Sequence, residues 1–475
     1  MIRTTVTELA SSLRRDLDRY SPDEKLPSSR ELVARYQVSP VTVSRAIAAL
    51  VREGLVVSRP GAGVFRAGDR PRTRGSGGDV SWQEIALSAG PGSVPRAVDA
   101  TGVLTSLAQV PAEVIDLNGG YLHASLIPEA ALASALARAG RRPGSWSRPP
   151  LEGLAELRSW FARDIGASLA ASDVLIAAGG QSALTTAVRS LAAPGLPVLV
   201  ESPTYPGLLA VARAAGLRPV PVPVDADGLR TDLLAEAFAA TGARLLVCQP
   251  AFHNPTGSVL SPQRAGDVLA IAREAGAFVI EDDFARRLVH DDAPPLPPPL
   301  IAADEDGIVV HIRSLTKPAS PSLRVAALAA RGPAFARMRA MQAVDSFFVP
   351  RPLQEAALEL VTAPAWERHL RALAGALRHR RDVLAGALAR TCPDLLPQRL
   401  PHGGYHLWLR LPDGQDPQLV TAAALRAGVA ITPGDPYFTA EPPAPHIRMS
   451  YAHTDGFDRL ADAVSRLRGV LGQPG

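Results

Sequence analysis

The sequence predicts a multidomain chain in which a small helical unit with a two-stranded β wing precedes a large α/β body built on a mainly parallel sheet. Three observations carry this. Residues 6–54 hold three short amphipathic helical patterns bounded by capping signals. Residues 66–78 lose apolar periodicity altogether. Between about 175 and 330, short apolar runs alternate with helical stretches, as successive βαβ units require. At 475 residues the chain exceeds one ordinary core, and about three domains are expected.

In the N-terminal unit, Val6, Leu9, Ala10, Leu13 and Leu17 fall at helical spacing, and the helix ends before Ser21-Pro22. Ser28-Ser29-Arg30-Glu31 has the form of a capping box opening a second helix. Only Gln37 and Val38 separate it from a third, where Ser39 is placed as N-cap and Pro40 takes the first position without losing a hydrogen bond. So tight a turn reads as helix-turn-helix, with the third helix in the recognition position. Its inner stripe is Val43, Ile47 and Leu50, which leaves Thr42, Ser44 and Arg45 on other faces. Leu55–Phe65 reads as two strands about a glycine-containing turn, which makes a winged helix-turn-helix.

Charge agrees with that reading. Residues 1–75 hold 14 Lys+Arg against 8 Asp+Glu, whereas the remainder holds 36 against 38. A polyanion is therefore expected at the N-terminal unit, with nucleic acid the first candidate. No stretch is long and apolar enough to cross a membrane, and Met1-Ile2-Arg3-Thr4 runs into a helix without a signal-peptide core. A cytoplasmic protein without a membrane partner is expected. Cys248 and Cys392 have no metal-ligand spacing and are read as buried small apolar side chains; no metal site is expected.

The pattern Leu26-Pro27-Ser28-Ser29-Arg30-Glu31-Leu32, Val38 to Ala46, Glu53-Gly54-Leu55 and Gly61 to Phe65 resembles the GntR-type winged helix of bacterial transcription regulators. The resemblance covers residues 1–66 and implies double-stranded DNA as partner. It implies that Arg30, Thr42 and Arg45 contact phosphates or base edges, with Ser39, Ser44 and Arg59 beside them and the wing Gly61 to Gly63 entering or flanking the minor groove. Residues 67–79, rich in arginine, glycine and serine, are expected to form a flexible basic linker.

In the body, strands are expected at Val174–Ala178, Val198–Glu201, Arg218–Val222, Leu245–Gln249, Phe278–Glu281, Ile308–Arg313 and Ala326–Ala329. Chemistry-bearing residues stand where several of these end. Gly179-Gly180-Gln181-Ser182 opens a helix after a strand, a place where amides can hold a phosphate. Asn254 stands in the run Pro250 to Gly257, flanked by prolines. Glu281-Asp282-Asp283 ends another strand, where one carboxylate could pair with a pyridinium nitrogen. The chain has two lysines, Lys25 and Lys317, and the second lies in Ser314-Leu315-Thr316-Lys317-Pro318. A desolvated lysine amine can lose its proton and attack a carbonyl, which a guanidinium cannot do. Lys317 is therefore the candidate to hold an aldehyde cofactor.

Together Gly180-Gln181, Ser202 to Pro206, Asn254-Pro255-Thr256-Gly257, Glu281-Asp282-Asp283, Ser314 to Lys317 and Arg324 resemble the fold-type I pyridoxal phosphate aminotransferases, over residues 80–475. The resemblance implies pyridoxal 5'-phosphate as cofactor, with Lys317 as its Schiff-base lysine. It implies that Asp282 keeps the pyridine nitrogen protonated, Asn254 bonds the ring hydroxyl and Tyr205 stacks on the ring. Gly180, Gln181, Ser314 and Arg324 would hold the phosphate. It further implies a smaller C-terminal α+β subdomain, about 351–475, in which Arg448 grips a substrate or effector carboxylate, and a homodimer. Two positions depart from the pattern: Phe284 replaces a tyrosine that bonds the ring oxygen, and Arg148 stands where relatives often place a tyrosine.

A GntR-type winged helix joined to an aminotransferase-like body is similar to the MocR subfamily of regulators. The expectation is a regulator that binds DNA and senses pyridoxal phosphate, or its adduct with a small amino compound. The rivals are an active aminotransferase carrying a DNA-binding domain and a dimerising body that binds no cofactor.

Overall fold

The computed structural model describes residues 6–17, 20, 24–52, 55–59, 63–67, 99–166 and 168–471, and the chain divides into two compact units, 1–96 and 97–475. The expected linker, apart from Ala67, and Gly61 of the wing lie outside the described residues.

In the first unit, α1 (Val6–Asp16), α2 (Ser29–Tyr36) and α3 (Pro40–Arg52) are followed by β1 (Val56–Arg59) and β2 (Gly63–Arg66). The helical stripes meet as their spacing requires: Leu9, Leu13, Leu32, Val43, Leu50 and Val56 form one buried core. The expected capping box is present, Glu31 N–H donating to Ser28 Oγ at 3.3 Å and Ser28 N–H to Glu31 Oε2 at 2.6 Å. Such a cap contributes about 1 kcal/mol. Thr42 N–H donates to Ser39 Oγ at 3.1 Å, which anchors the start of α3. β1 and β2 pair antiparallel, with Val57 opposite Phe65, and make the wing.

The second unit opens with α4 (Thr101–Leu107) and β3 (Ile115–Asp116). Its main sheet comprises β4 (Val174–Ala177), β5 (Pro197–Ser202), β6 (Arg218–Asp225), β7 (Gly228–Leu229), β8 (Leu245–Cys248), β9 (Phe278–Asp282), β10 (Val309–Ser314) and β11 (Ala326–Ala329). Their order is β4-β11-β10-β9-β8-β5-β6-β7. Neighbours from β10 to β6 pair parallel, β11 runs antiparallel to both its neighbours, and β7 is antiparallel to β6. All seven strands expected from the sequence are present, with ends moved by a few residues.

These strands read as continuous apolar runs because both faces are covered. Leu199, Leu246 and Val279 pack into one core, whereas their neighbours Val200, Val247 and Ile280 pack into another on the opposite face. That is the two-residue alternation of a pleated strand.

A third core belongs to the smaller subdomain, where β12 (His406–Arg410), β14 (Thr432–Pro433) and β15 (His446–Ser450) form one sheet and β13 (Val429–Ala430) pairs with β3. The division between large and small cores falls within the helix Pro364–Thr391 rather than at about 351. Ala356, Leu360 and Trp366 pack into the large core, and Leu373 and Leu377 into the small one. Ile115 and Leu117, far earlier in the chain, complete the small core. Among the described residues no helix is long and apolar enough to cross a membrane.

Candidate functional site

A cavity of about 360 Å³ opens at the edge of the main sheet where the parallel strands end. Topology explains which residues meet there. The turns after β4, β5, β8, β9 and β10 carry Gly180, Tyr205, Asn254, Phe284 and Lys317 to one edge, with Asp282 the last residue of β9. Because β11 is reversed, Arg324, two residues before its start, arrives at the same edge. The small subdomain closes the other side with Tyr405, His406, Tyr437 and Arg448. All eight cofactor-site residues expected from the sequence, and Arg448, line this one cavity.

Lys317 Nζ donates to the Gly120 carbonyl at 2.6 Å and lies 4.0 Å from the centroid of the Tyr121 ring. Tyr405 Oη–H donates to the same carbonyl at 2.6 Å. Enclosure by the cavity walls, reinforced by Arg448 and Arg324, lowers the Lys317 amine to about 7, against the pull of Asp282. A substantial fraction of the amine is thus unprotonated near neutrality, the state in which it is a nucleophile.

Asp282 is buried, and desolvation, with repulsion from Asp283, raises its carboxyl to about 6. Gln249 opposes this by donating Nε2–H to Asp282 Oδ2 at 2.7 Å. Asp283 points away into an ion network with Arg313 and Arg286, at 2.8 and 2.6 Å, and those cations hold its carboxyl down despite burial. Glu281, Asp283 and His311 cluster there, but the guanidinium groups already neutralise the acidic charge, and no metal site is read from them.

At the other end, Gly179 has φ +87°, and a Cβ there would lie 2.6 Å from Arg324 Cζ. The glycine lets the guanidinium lie across the start of the helix Gly180–Leu191, where Arg324 also donates to the Ala178 carbonyl at 2.7 Å. A Cβ on Gly180 would lie 3.8 Å from Ser314 Oγ. Helix amides, a hydroxyl and a guanidinium so arranged can hold a phosphate. The Gln181 side chain is engaged elsewhere, donating to the Gly207 carbonyl at 3.2 Å and accepting from Tyr205 Oη at 3.2 Å.

Arg448 is buried on β15, donating to Asn254 Oδ1 at 3.2 Å and to the Asn118 carbonyl at 2.8 Å. Its Nε, together with Thr316 Oγ1 and His406 Nδ1, is buried without a partner among the described residues. Buried donors left so are costly and suit a missing ligand. Among the described residues that line the cavity, the charged side chains are Lys317, Arg324, Arg448 and Asp282. This donor set fits pyridoxal phosphate: a carboxylate for the pyridine nitrogen, an amine for the aldehyde, a cradle for the phosphate and a guanidinium for a carboxylate.

Sequence reasoning missed Gln249, Gly120, Tyr121, Tyr405 and the wall from α4. Gln249 had a local signal, since it follows β8 and stands five residues before Asn254. The others reach the cavity only through tertiary packing. Phe284 lines the cavity without a hydroxyl to offer, and Arg148 is exposed and outside the lining.

In the first unit, Arg30, Ser39, Ser44 and Arg45 are exposed and Thr42 is half-buried. Ser39 Oγ and Thr42 Oγ1 lie 2.8 Å apart, so these hydroxyls engage each other at the α3 cap. Gly63 adopts φ +117° in the wing, beside the Lys25 side chain.

Comparison with known proteins follows the same division. Residues 5–65 match the bacterial regulatory proteins of the gntR family, and residues 112–464 match aminotransferase class I and II, a family dependent on pyridoxal phosphate. The uncharacterized HTH-type transcriptional regulator YdfD of Bacillus subtilis is 26% identical, over 90% of this chain and 88% of its own. The 2-aminoadipate transaminase of Thermus thermophilus is 32% identical, over 82% of this chain and 98% of its own. The crystal structure of LysN, an α-aminoadipate aminotransferase from the same species complexed with N-(5'-phosphopyridoxyl)-L-leucine, has a TM-score of 0.75 at 29% identity, covering 83% of this chain and 98% of that one. With a GntR-type helix-turn-helix domain fused to a class I and II aminotransferase domain, and regulators of the same build among its relatives, the chain belongs to the MocR-type transcription regulators.

Proposed function

We propose that this regulator binds DNA through its winged helix and responds to pyridoxal phosphate, or to its adduct with an amino compound, held in the aminotransferase domain. The observation that carries the reading is the convergence of Lys317, Asp282, Arg324 and Arg448 on one cavity, in a chain that also bears a GntR-type domain. Pyridoxal phosphate supplies an electrophilic aldehyde and an electron sink. Lys317 would hold it covalently, and its lowered basicity favours that attachment. Asp282, ionised beside a pyridinium cation, would hold the ring proton; the cation in turn stabilises the carboxylate against its own desolvation. Gly180, Ser314 and Arg324 would bind the phosphate, Tyr205 would lie against the ring, and Asn254 would bond the ring hydroxyl. Arg448 would orient the effector by its carboxylate.

On the DNA side, Arg30 and Arg45, exposed on α2 and α3, are proposed to reach phosphate or base edges, with Ser39, Thr42 and Ser44 beside them. The wing glycines Gly61 and Gly63 would enter or flank the minor groove, with Arg59 beside the other DNA contacts. A homodimer would present two such units to repeated half-sites. The ligand can regulate only by binding the DNA-competent and incompetent states with different affinities.

The test is the visible absorption of the full chain with pyridoxal phosphate, for wild type and Lys317→Ala, before and after borohydride. A band that becomes permanently attached in wild type and not in the variant supports the reading. No band in either protein refutes it and leaves a DNA-binding protein with a body that binds no cofactor. Sustained amino-group transfer to a keto acid at enzymatic rates would favour the rival transaminase, to which Phe284 contributes one ring-oxygen hydrogen bond fewer.

A further inference from the structure

We infer that the DNA this chain prefers carries a thymine in the major groove opposite Val41, whose exposed side chain reads the 5-methyl group. This rests on the proposal that the winged helix binds DNA and names part of the sequence it selects. On α3, Val43, Ala46, Ile47 and Leu50 turn inward to the core of the first unit. Val41, Ser44, Arg45 and Ala48 are all exposed, at the i, i+3, i+4 and i+7 spacing of one helical face. Val41 is 60% exposed and Pro40 beside it is exposed too, so the leading turn of that face is apolar.

A single exposed valine is ordinary on a protein surface. Its meaning comes from its place, on the outward face of the helix in the recognition position. Pro40–Arg52 holds Arg45 and Arg52 and no carboxylate, so a polyanion is the occupant that its charge suits. Hydrogen bonding at the leading turn is already partly spent. Ser39 Oγ accepts from Thr42 N–H at 3.1 Å and lies 2.8 Å from Thr42 Oγ1, so one of the two hydroxyl protons is used within the cap. Pro40 has no N–H to offer. What the turn presents to a base edge is therefore largely hydrocarbon. Among the four bases only thymine offers a methyl group in the major groove, and apolar side chains contact it there. Further along the same face, Ser44 can bond several bases and Arg45 suits guanine, so the selection of thymine falls to Val41. Covering one methyl group is worth about fourfold in affinity.

The experiment enriches, from a pool of duplexes with a randomised centre, those bound by the full chain, in one selection with pyridoxal phosphate and in another without it. Each thymine of the enriched sequence is then replaced in turn by deoxyuridine, which removes the 5-methyl group and keeps the base pair. The expected result is a thymine at which the replacement weakens wild-type binding by about threefold or more and leaves Val41→Ala unaffected. Val41 is exposed and alanine is the better helix former, so the variant should keep its fold. At the same position 5-methylcytosine should bind wild type more tightly than cytosine does, and Val41→Ala no differently. Duplexes enriched without a methyl-sensitive thymine, or a loss that Val41→Ala shows equally, overturn the inference and leave the DNA-binding proposal standing. A full chain that retains no duplex in either selection rejects both.

Discussion

Gln249 donates a 2.7 Å hydrogen bond from Nε2 to Asp282 Oδ2, and its Oε1 accepts from the Asn254 backbone N–H at 3.1 Å. One buried amide therefore fixes both the carboxylate assigned to the pyridine nitrogen and the residue assigned to the ring hydroxyl. Its bond favours the ionised form of Asp282 and works against desolvation. Gln249→Leu should raise the Asp282 carboxyl above about 6 and weaken cofactor binding, by roughly tenfold for each pKa unit gained at pH values below that pKa and by less near neutrality. Cofactor affinity measured against pH should show its acid-side midpoint displaced upward; an unmoved midpoint rejects the coupling.

The cofactor-free body should be strained by its own lysine. Lys317 titrates at about 7 in the folded chain, against an ordinary value of 10.5. Between those values the unfolded chain binds more protons than the folded one, so stability rises with pH over that window and the cost is complete below about 7. Lys317→Met should therefore raise the melting temperature at pH 7, by about 1 °C for each kcal/mol relieved in a unit of this size. The gain should shrink toward pH 10. A gain independent of pH would show that packing, not charge burial, is responsible.

Gly179 combines φ +87° with a hypothetical Cβ 2.6 Å from Arg324 Cζ. Gly179→Ala should cost about 1–2 kcal/mol in backbone strain and displace the guanidinium. Affinity for pyridoxal phosphate should fall at least tenfold, while that for pyridoxal, which lacks the phosphate, should change little. Equal losses for the two would argue against a phosphate site there.

On the first unit, Arg30 and Arg45 are exposed. Arg45→Ala and Arg30→Ala should each weaken binding to a generic DNA duplex and reduce the slope of log affinity against log salt by about 1 where the contact is to phosphate. Titrations at several salt concentrations decide this, and unchanged slopes for both variants would move the DNA face elsewhere.

By itself the sequence determined the elements and named many of the residues that line the cavity. Strands buried on both faces must be continuously apolar, and a sheet of parallel strands must alternate with helices, so β4 to β11 were legible from runs such as Leu245 to Cys248. The caps at Ser28 and Ser39 were legible because a helix start leaves amides that local hydroxyls must satisfy. Lys317, Asn254 and Asp282 were legible because each stands at the end of a strand or in the turn that follows it, with a side chain few alternatives can replace. Tertiary structure decided what meets at the sheet edge. The reversal of β11 brings Arg324 to the start of the helix Gly180–Leu191, and β3 joins a subdomain whose other strands begin almost 300 residues later. Gly120 presents one carbonyl to both Lys317 and Tyr405, and α4 roofs the cavity without a charge. None of these has a local signal, because nothing in the backbone preferences of a short segment records which distant segment it will pack against; that is set by burial of the assembled cores.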